Sequence, residues 1–216
     1  MLLYGRMDML TQTAKVIISS CLGFLAIVLF LCFKGKTRKF CMIAMLLSTA
    51  GDFFMTDTFH MGSASTYPGA AFFIAAHIVY ALCFIRAGKE KGYVYRNKGF
   101  YAGLSVTVAV AILLAFLAFT VPDKPQTVMF CLIMVYLAVI GVNLVSQYSY
   151  AVSEKGTRLF LVLGMTLFII SDFVVFLPML GISGEKNNLV WATYIPAQLL
   201  IILFNDKLKT DSRNTQ

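Results

Sequence analysis

Residues 101–120 read YAGLSVTVAVAILLAFLAFT, twenty consecutive residues without a charge. A helix of that length rises about 30 Å, the thickness of the hydrocarbon core of a bilayer. Runs of the same kind recur on both sides of it. Together they predict spans near 16–33, 40–57, 70–87, 101–120, 127–146, 158–177 and 189–205. Barrel strands would alternate in polarity over about ten residues, whereas these runs are apolar throughout. The fold class expected is therefore all-α, a polytopic bundle of about seven transmembrane helices. Composition agrees: 59% of the 216 residues are hydrophobic and 13% charged, against about a quarter charged in a soluble domain. No stretch between the runs is long enough for a soluble domain, so residues 1–216 read as one transmembrane domain. The first run lacks a clean signal-peptide cleavage site before it and is taken as a true span. Gly and Pro are expected to punctuate the connections, as in Tyr67-Pro68-Gly69, Val121-Pro122-Asp123 and Leu177-Pro178.

The net charge of +8 does not point to nucleic acid, because the basic residues sit in short loops between apolar runs. One side collects Lys34, Lys36, Arg38 and Lys39, then Arg86, Lys89, Lys91, Arg96 and Lys98, then Lys155 and Arg158, then Lys207, Lys209 and Arg213. The other holds Arg6, Lys15, Lys124 and Lys186, a division of 14 to 4. Basic loops face the cytoplasm, so the C-terminus is expected inside and the N-terminus outside. The partner this pattern implies is the lipid bilayer: the plasma membrane in a bacterium, an internal one in a eukaryote. Cys21, Cys32, Cys41, Cys83 and Cys131 lie in or beside apolar runs without CxxC spacing and read as packing residues.

Acids inside apolar helices cost roughly 2.5–3.5 kcal/mol on insertion scales and point to function. Asp52 lies in AMLLSTAGDFFM (44–55), and Asp172 in LFIISDFVVF (167–176). Each is expected about five residues before the outer end of its span. His77 and Tyr80 fall in the outer half of span three, and Tyr194 and Gln198 in that of span seven. Their spacings, i to i+3 and i to i+4, put each pair on one helix face. Gly51 and Ser171 precede the two acids, small residues that let a helix or substrate approach. Taken singly, a buried Asp or Gln can serve as interhelical glue and a tyrosine can simply pack. Six such groups at one depth in four spans are what an enclosed site needs. Asp57 and His60 are expected to be solvated in an outer loop, and Trp191 to belong to the aromatic belt.

At these residues the sequence resembles the YhhN-like family of membrane proteins, whose characterised members are lysoplasmalogenases. The matching motifs are Gly51-Asp52 with Phe53-Phe54-Met55, then Gly69-x3-Phe73-x3-His77-x2-Tyr80. Gly164-x3-Phe168-x2-Ser171-Asp172 and Tyr194-x2-Ala197-Gln198-x-Leu200-Ile201 follow in the family's order. Two departures stand out. The family is usually drawn with eight spans where seven are read here, and Asn143 stands where a methionine is expected seven residues after Tyr136. The resemblance implies hydrolysis of the vinyl ether of a lysophospholipid, the lysoplasmalogen, to a fatty aldehyde and a glycerophospho-head-group alcohol.

That chemistry needs a proton delivered to carbon, an oxocarbenium-like cation and an activated water. Two carboxyls can divide those roles, as in glycosidases. Asp52 and Asp172 are expected to be the catalytic acid and base, in either order, with His77 tuning or relaying a proton. Tyr80, Tyr194 and Gln198 would hold water and the ether oxygen, with Ser171 beside them. No cofactor is called for. A catalytic zinc normally has three protein ligands, often His, and the chain holds two histidines. There is no GxSxG elbow, and span seven has no lysine for a retinal Schiff base. The rival class is a proton-coupled transporter, with spans one to three and five to seven as a parallel repeat around span four. Gly51-Asp52-Phe53 and Ser171-Asp172-Phe173 echo each other as such a repeat would.

Overall fold

The structure is a computed structural model, and it describes residues 11–120, 127–154, 158–182 and 187–204. Val121-Pro122-Asp123 and the basic residues Arg6, Lys124, Lys155, Lys186, Lys207, Lys209 and Arg213 lie outside the described residues. Among the described residues the chain is all helical. Its helices are α1 (Gln12–Phe33), α2 (Lys36–Met55), α3 (Thr66–Glu90), α4 (Lys98–Thr120), α5 (Thr127–Ser153), α6 (Arg158–Met179) and α7 (Asn187–Phe204). A 3-10 turn, Gly62–Ser65, leads into α3. By length and composition α1, α3, α4, α5 and α6 can each cross a membrane, which makes this a multi-pass bundle. Helix α7 is shorter but apolar from Asn188 to Leu203. Helix α2 opens with Lys36, Arg38 and Lys39 and buries Asp52, which dilutes its hydropathy.

Local chemistry sets the helix ends. Thr11 caps α1, its hydroxyl accepting the Ala14 N–H at 3.2 Å, so the helix begins earlier than the apolar run. Pro68 sits in the first turn of α3, where an N–H has no helical acceptor anyway. At the end of α6, Gly181 takes φ +80°. Gly181 N–H then reaches Pro178 O and Ile182 N–H reaches Leu177 O, closing the helix. Helix α5 runs on to Ser153, past the apolar stretch, because Ser146 and Asn97 tie its polar end to the preceding loop. Tyr95 and Ser146 share a hydroxyl hydrogen bond at 2.6 Å, and Asn97 donates to Ser149 O at 2.8 Å.

Packing arranges six helices in a ring. Helix α1 lies on α2, α2 on α3, α3 on α5, α5 on α6 and α6 on α7, and α7 returns to α2 and α1. Helix α4 stands outside the ring against α5. It reaches α5 through small residues: a Cβ on Gly99 would sit 2.1 Å from Tyr148 O, and one on Gly103 2.9 Å from Val145 Cα. Between α2 and α3 the close approach is at Gly51, where a Cβ would lie 2.9 Å from the Phe73 ring and 3.3 Å from Gly69 O. Gly51 is therefore what lets Asp52 sit at that depth. Gly51→Val should destabilise the bundle by about 1–3 kcal/mol through overpacking, read as a lower unfolding temperature in detergent beside wild type. An unchanged temperature would mean the α2–α3 contact is slack.

Candidate functional site

One end of the ring encloses a cavity of about 770 Å³, lined from α1, α2, α3, α5, α6 and α7. The volume is that of a small-molecule site, which typically runs about 300–1,000 Å³. Asp52, Tyr136, Asp172 and Tyr194 supply its polar wall, and Leu132, Ile133, Val174, Val175 and Phe176 part of its apolar one. Gln12, Asp57 and Thr66, all at least partly exposed, form its rim. The rim groups come from the start of α1, the end of α2 and the start of α3, so the cavity opens at the end expected to face outward.

The two acids are held alike. Asp52 Oδ2 accepts from Tyr194 Oη at 2.8 Å and from Ser19 Oγ. Asp172 Oδ2 accepts from Tyr136 Oη at 3.1 Å and pairs with His77 Nε2 at 3.2 Å. In each case a phenol and one further donor fix a single oxygen. Oδ1 of each carboxyl accepts no hydrogen bond among the described residues. Buried carboxyls are normally satisfied in full, so a cavity-lining acid with half its acceptors unused is placed to engage something else.

Behind Asp172 lies a chain of amides. Asn143 Nδ2 lies 2.9 Å from His77 Nδ1, and Asn143 Oδ1 accepts from Gln147 Nε2 at 3.1 Å. Gln147 Nε2 also points at Met165 Sδ, 3.3 Å away, which sets the direction of both amides. With an amide N–H₂ on Nδ1, the neutral imidazole carries its proton on Nε2 and donates to Asp172. His77 is 1% exposed and does not line the cavity. It meets Tyr136 and Phe168 edge-on.

The remaining sequence candidates divide into two layers. Tyr194 and Ser171 line the cavity, and Ser171 Oγ donates to Val190 O at 3.3 Å. Tyr80 and Gln198 lie one turn deeper on their helices and bond to each other, Oη to Oε1 at 3.0 Å. They join α3 to α7 beneath the cavity, outside its lining.

Two expectations are corrected. Trp191 is 6% exposed, lines the cavity and packs edge-on against Tyr194. The α6–α7 contact turns it inward, so it is no lipid-facing belt residue. Asp57 is half-buried at the rim rather than fully solvated, because its Oδ1 accepts the Gly62 N–H at 2.9 Å. His60 is exposed, as its loop position suggests.

Sequence reasoning overlooked Ser19, Tyr136 and Lys15 as parts of the site. Tyr136 carried a signal, a lone hydroxyl ten residues into an apolar span. Ser19 did not, since Ser20 beside it turns outward and bonds Val16 O at 2.8 Å.

A second polar cluster closes the opposite end. Lys91 Nζ donates to Glu154 Oε2 at 2.6 Å and to Tyr150 Oη at 2.7 Å. Burial opposes its charge, but the Glu154 and Tyr150 bonds outweigh it and push the ammonium above its ordinary range. This cluster clamps the α3 end to α5. Cys41 and Cys83 Sγ lie 3.5 Å apart as free thiols, packing α2 on α3. Among the described residues no three His, Cys, Asp or Glu side chains gather as metal ligands.

The model of the YhhN family matches residues 13–204, most of the chain. The chain belongs to that family. No curated protein and no solved structure matches it.

Proposed function

We propose that this YhhN-family protein is a membrane-embedded hydrolase. It cleaves the vinyl ether of a lysoplasmalogen, or of a related single-chain lipid, by acid/base catalysis. The observation that carries the reading is the pair of carboxyls, Asp52 and Asp172, each pinned through one oxygen and lining one apolar-walled cavity. One carboxyl protonates the vinyl carbon distal to oxygen, leaving an oxocarbenium ion that the second carboxylate steadies. That carboxylate takes a proton from water as the water adds to the cationic carbon. The resulting hemiacetal collapses to fatty aldehyde and the glycerol hydroxyl, so one water is consumed per bond cleaved. Tyr136 and Tyr194 hold the acids in register, and geometry of this kind is where much of a rate enhancement resides. The apolar wall suits the hydrocarbon chain and the rim suits a polar head group. On the orientation that the basic residues favour, the rim faces away from the cytoplasm.

Detergent-purified protein given a lysoplasmalogen should release fatty aldehyde, and added chelator should leave the rate unchanged. Well-folded protein that releases none would count against the reading.

One observation favours a second reading. Helices α1–α3 and α5–α7 make the ring while α4 lies outside it, as in carriers built of two three-helix repeats around a linker. A proton-coupled carrier would bind or move its substrate without aldehyde appearing.

A further inference from the structure

Among the described residues Lys15 is the one cation that lines this cavity. It lines the wall near the rim, yet it is 7% exposed. Among the described residues its ammonium has no carboxylate within 4.0 Å and no hydrogen-bond acceptor. Holding a largely buried lysine side chain in a cavity wall without a partner is costly, and two other cations show the contrast. Lys91 has Glu154, and Arg38 lies over the Phe33 ring. The carboxyls that face the same space are Asp52, Asp57 and Asp172. Asp52 already accepts from Ser19 and Tyr194, Asp172 from His77 and Tyr136, and Asp57 from the Gly62 N–H. None of them is engaged with Lys15.

Its place on α1 sets a distance. Gln12, Lys15 and Ser19 follow one helix face at i, i+3 and i+7. Gln12 Nε2 donates to Thr56 O at 2.7 Å and anchors that face to the end of α2. Ser19 Oγ donates to Asp52. Lys15 is thus four residues, or about 6 Å of helix, nearer the rim than the residue that holds the acid. In a lysophospholipid the ether oxygen and the phosphorus are separated by the glycerol carbons, about five single bonds, or ~6 Å. With the ether at the carboxyls, the phosphate falls at the level of Lys15.

We propose that Lys15 is the phosphate-recognising residue of the cavity, its ammonium binding the phosphodiester of a single-chain phospholipid. The assignment rests on the lysolipid reading above and makes the head group, besides the vinyl ether, part of what the site selects. A lysine suits the task as a compact charge with three donors that can follow a mobile phosphate.

Binding tests it without turnover. Trp191 is the sole tryptophan and lines the cavity, so its fluorescence reports occupancy. The probes are a saturated-ether lysophospholipid, the matching alkylglycerol without phosphate, and the soluble glycerophospho head group alone. Wild type should bind the lysophospholipid about tenfold more tightly than the alkylglycerol, the size of one charge-assisted contact. Lys15→Ala should bring the two within twofold, and Lys15→Arg should keep the preference. Helix content and gel-filtration profile establish that each variant is folded. Equal binding of the two lipids by wild type, or a preference that survives Lys15→Ala, overturns the proposal. So does soluble head group binding as tightly as the lipid, since the site would then serve free phosphate esters. Aldehyde release with no Lys15-dependent preference sinks this subsite alone. A Lys15-dependent preference without aldehyde release sinks the hydrolase reading and leaves the phosphate site standing.

Discussion

Asp52→Asn and Asp172→Asn should each lower aldehyde release by about three orders of magnitude, within the 10²–10⁴ that a positioned acid or base contributes. Both variants should fold. The carboxamide has the volume of the carboxyl, and its oxygen can keep the bonds that Oδ2 now accepts. Where its N–H₂ meets a hydroxyl instead, Ser19, Tyr136 or Tyr194 can rotate to accept. What the amide cannot do is give or take the proton at Oδ1, the atom without a hydrogen-bond partner among the described residues. If the carboxyls act in one step, their effects will not add, and the double variant will fall little below either single one. Helix content and the unfolding temperature serve as controls. More than a tenth of wild-type activity in either folded variant would remove that residue from the chemistry.

Fold class was legible in the sequence because the bilayer imposes one requirement that composition records, long charge-free runs that satisfy their own backbone. The acids were legible for the same reason: a carboxyl in such a run stands out. Which side chains support them was not. Asp172 meets His77 across 95 residues and Tyr194 meets Asp52 across 142. Those pairings depend on the order of helices around the ring, which hydropathy does not encode. The structure brings Asp52, Asp172 and Tyr194 to one cavity, with His77 bonded to Asp172 behind it. Tyr80 and Gln198, expected at the same depth, lie a helical turn below the cavity lining and bond to each other. Trp191 shows a related limit. A tryptophan near a span end is placed by rotation about the helix axis, and only packing of α7 on α6 settles whether it meets lipid or cavity. Lys15 was counted for topology as one of four basic residues on the sparse side. Its burial, which gives it another meaning, comes with the packing of α1 on α2 and α7, which a count of charges by loop does not register.

His77→Ala should reduce kcat about 100-fold with KM nearly unchanged, while His77→Gln should keep most of the rate. The imidazole lies behind Asp172, outside the cavity lining, so it acts on the substrate only through the carboxyl it holds. Removing it frees Asp172 to swing, and a misplacement of about 1 Å can cost about 10²-fold. Glutamine supplies an N–H where Nε2–H was and so restores the orientation without a titratable ring. A proton relay through His77 predicts something different. Both substitutions would then be equally damaging, and the pH–rate profile would lose a limb in each. Asn143→Leu separates the two accounts further. Without the amide donor on Nδ1, the ring can take the opposite tautomer and present a lone pair to Asp172 instead of a proton. A fall of about tenfold, absent when Asn143→Leu is combined with His77→Gln, would show that the amide works by fixing the histidine's proton. A similar fall in both backgrounds would assign Asn143 to packing against Met165 instead.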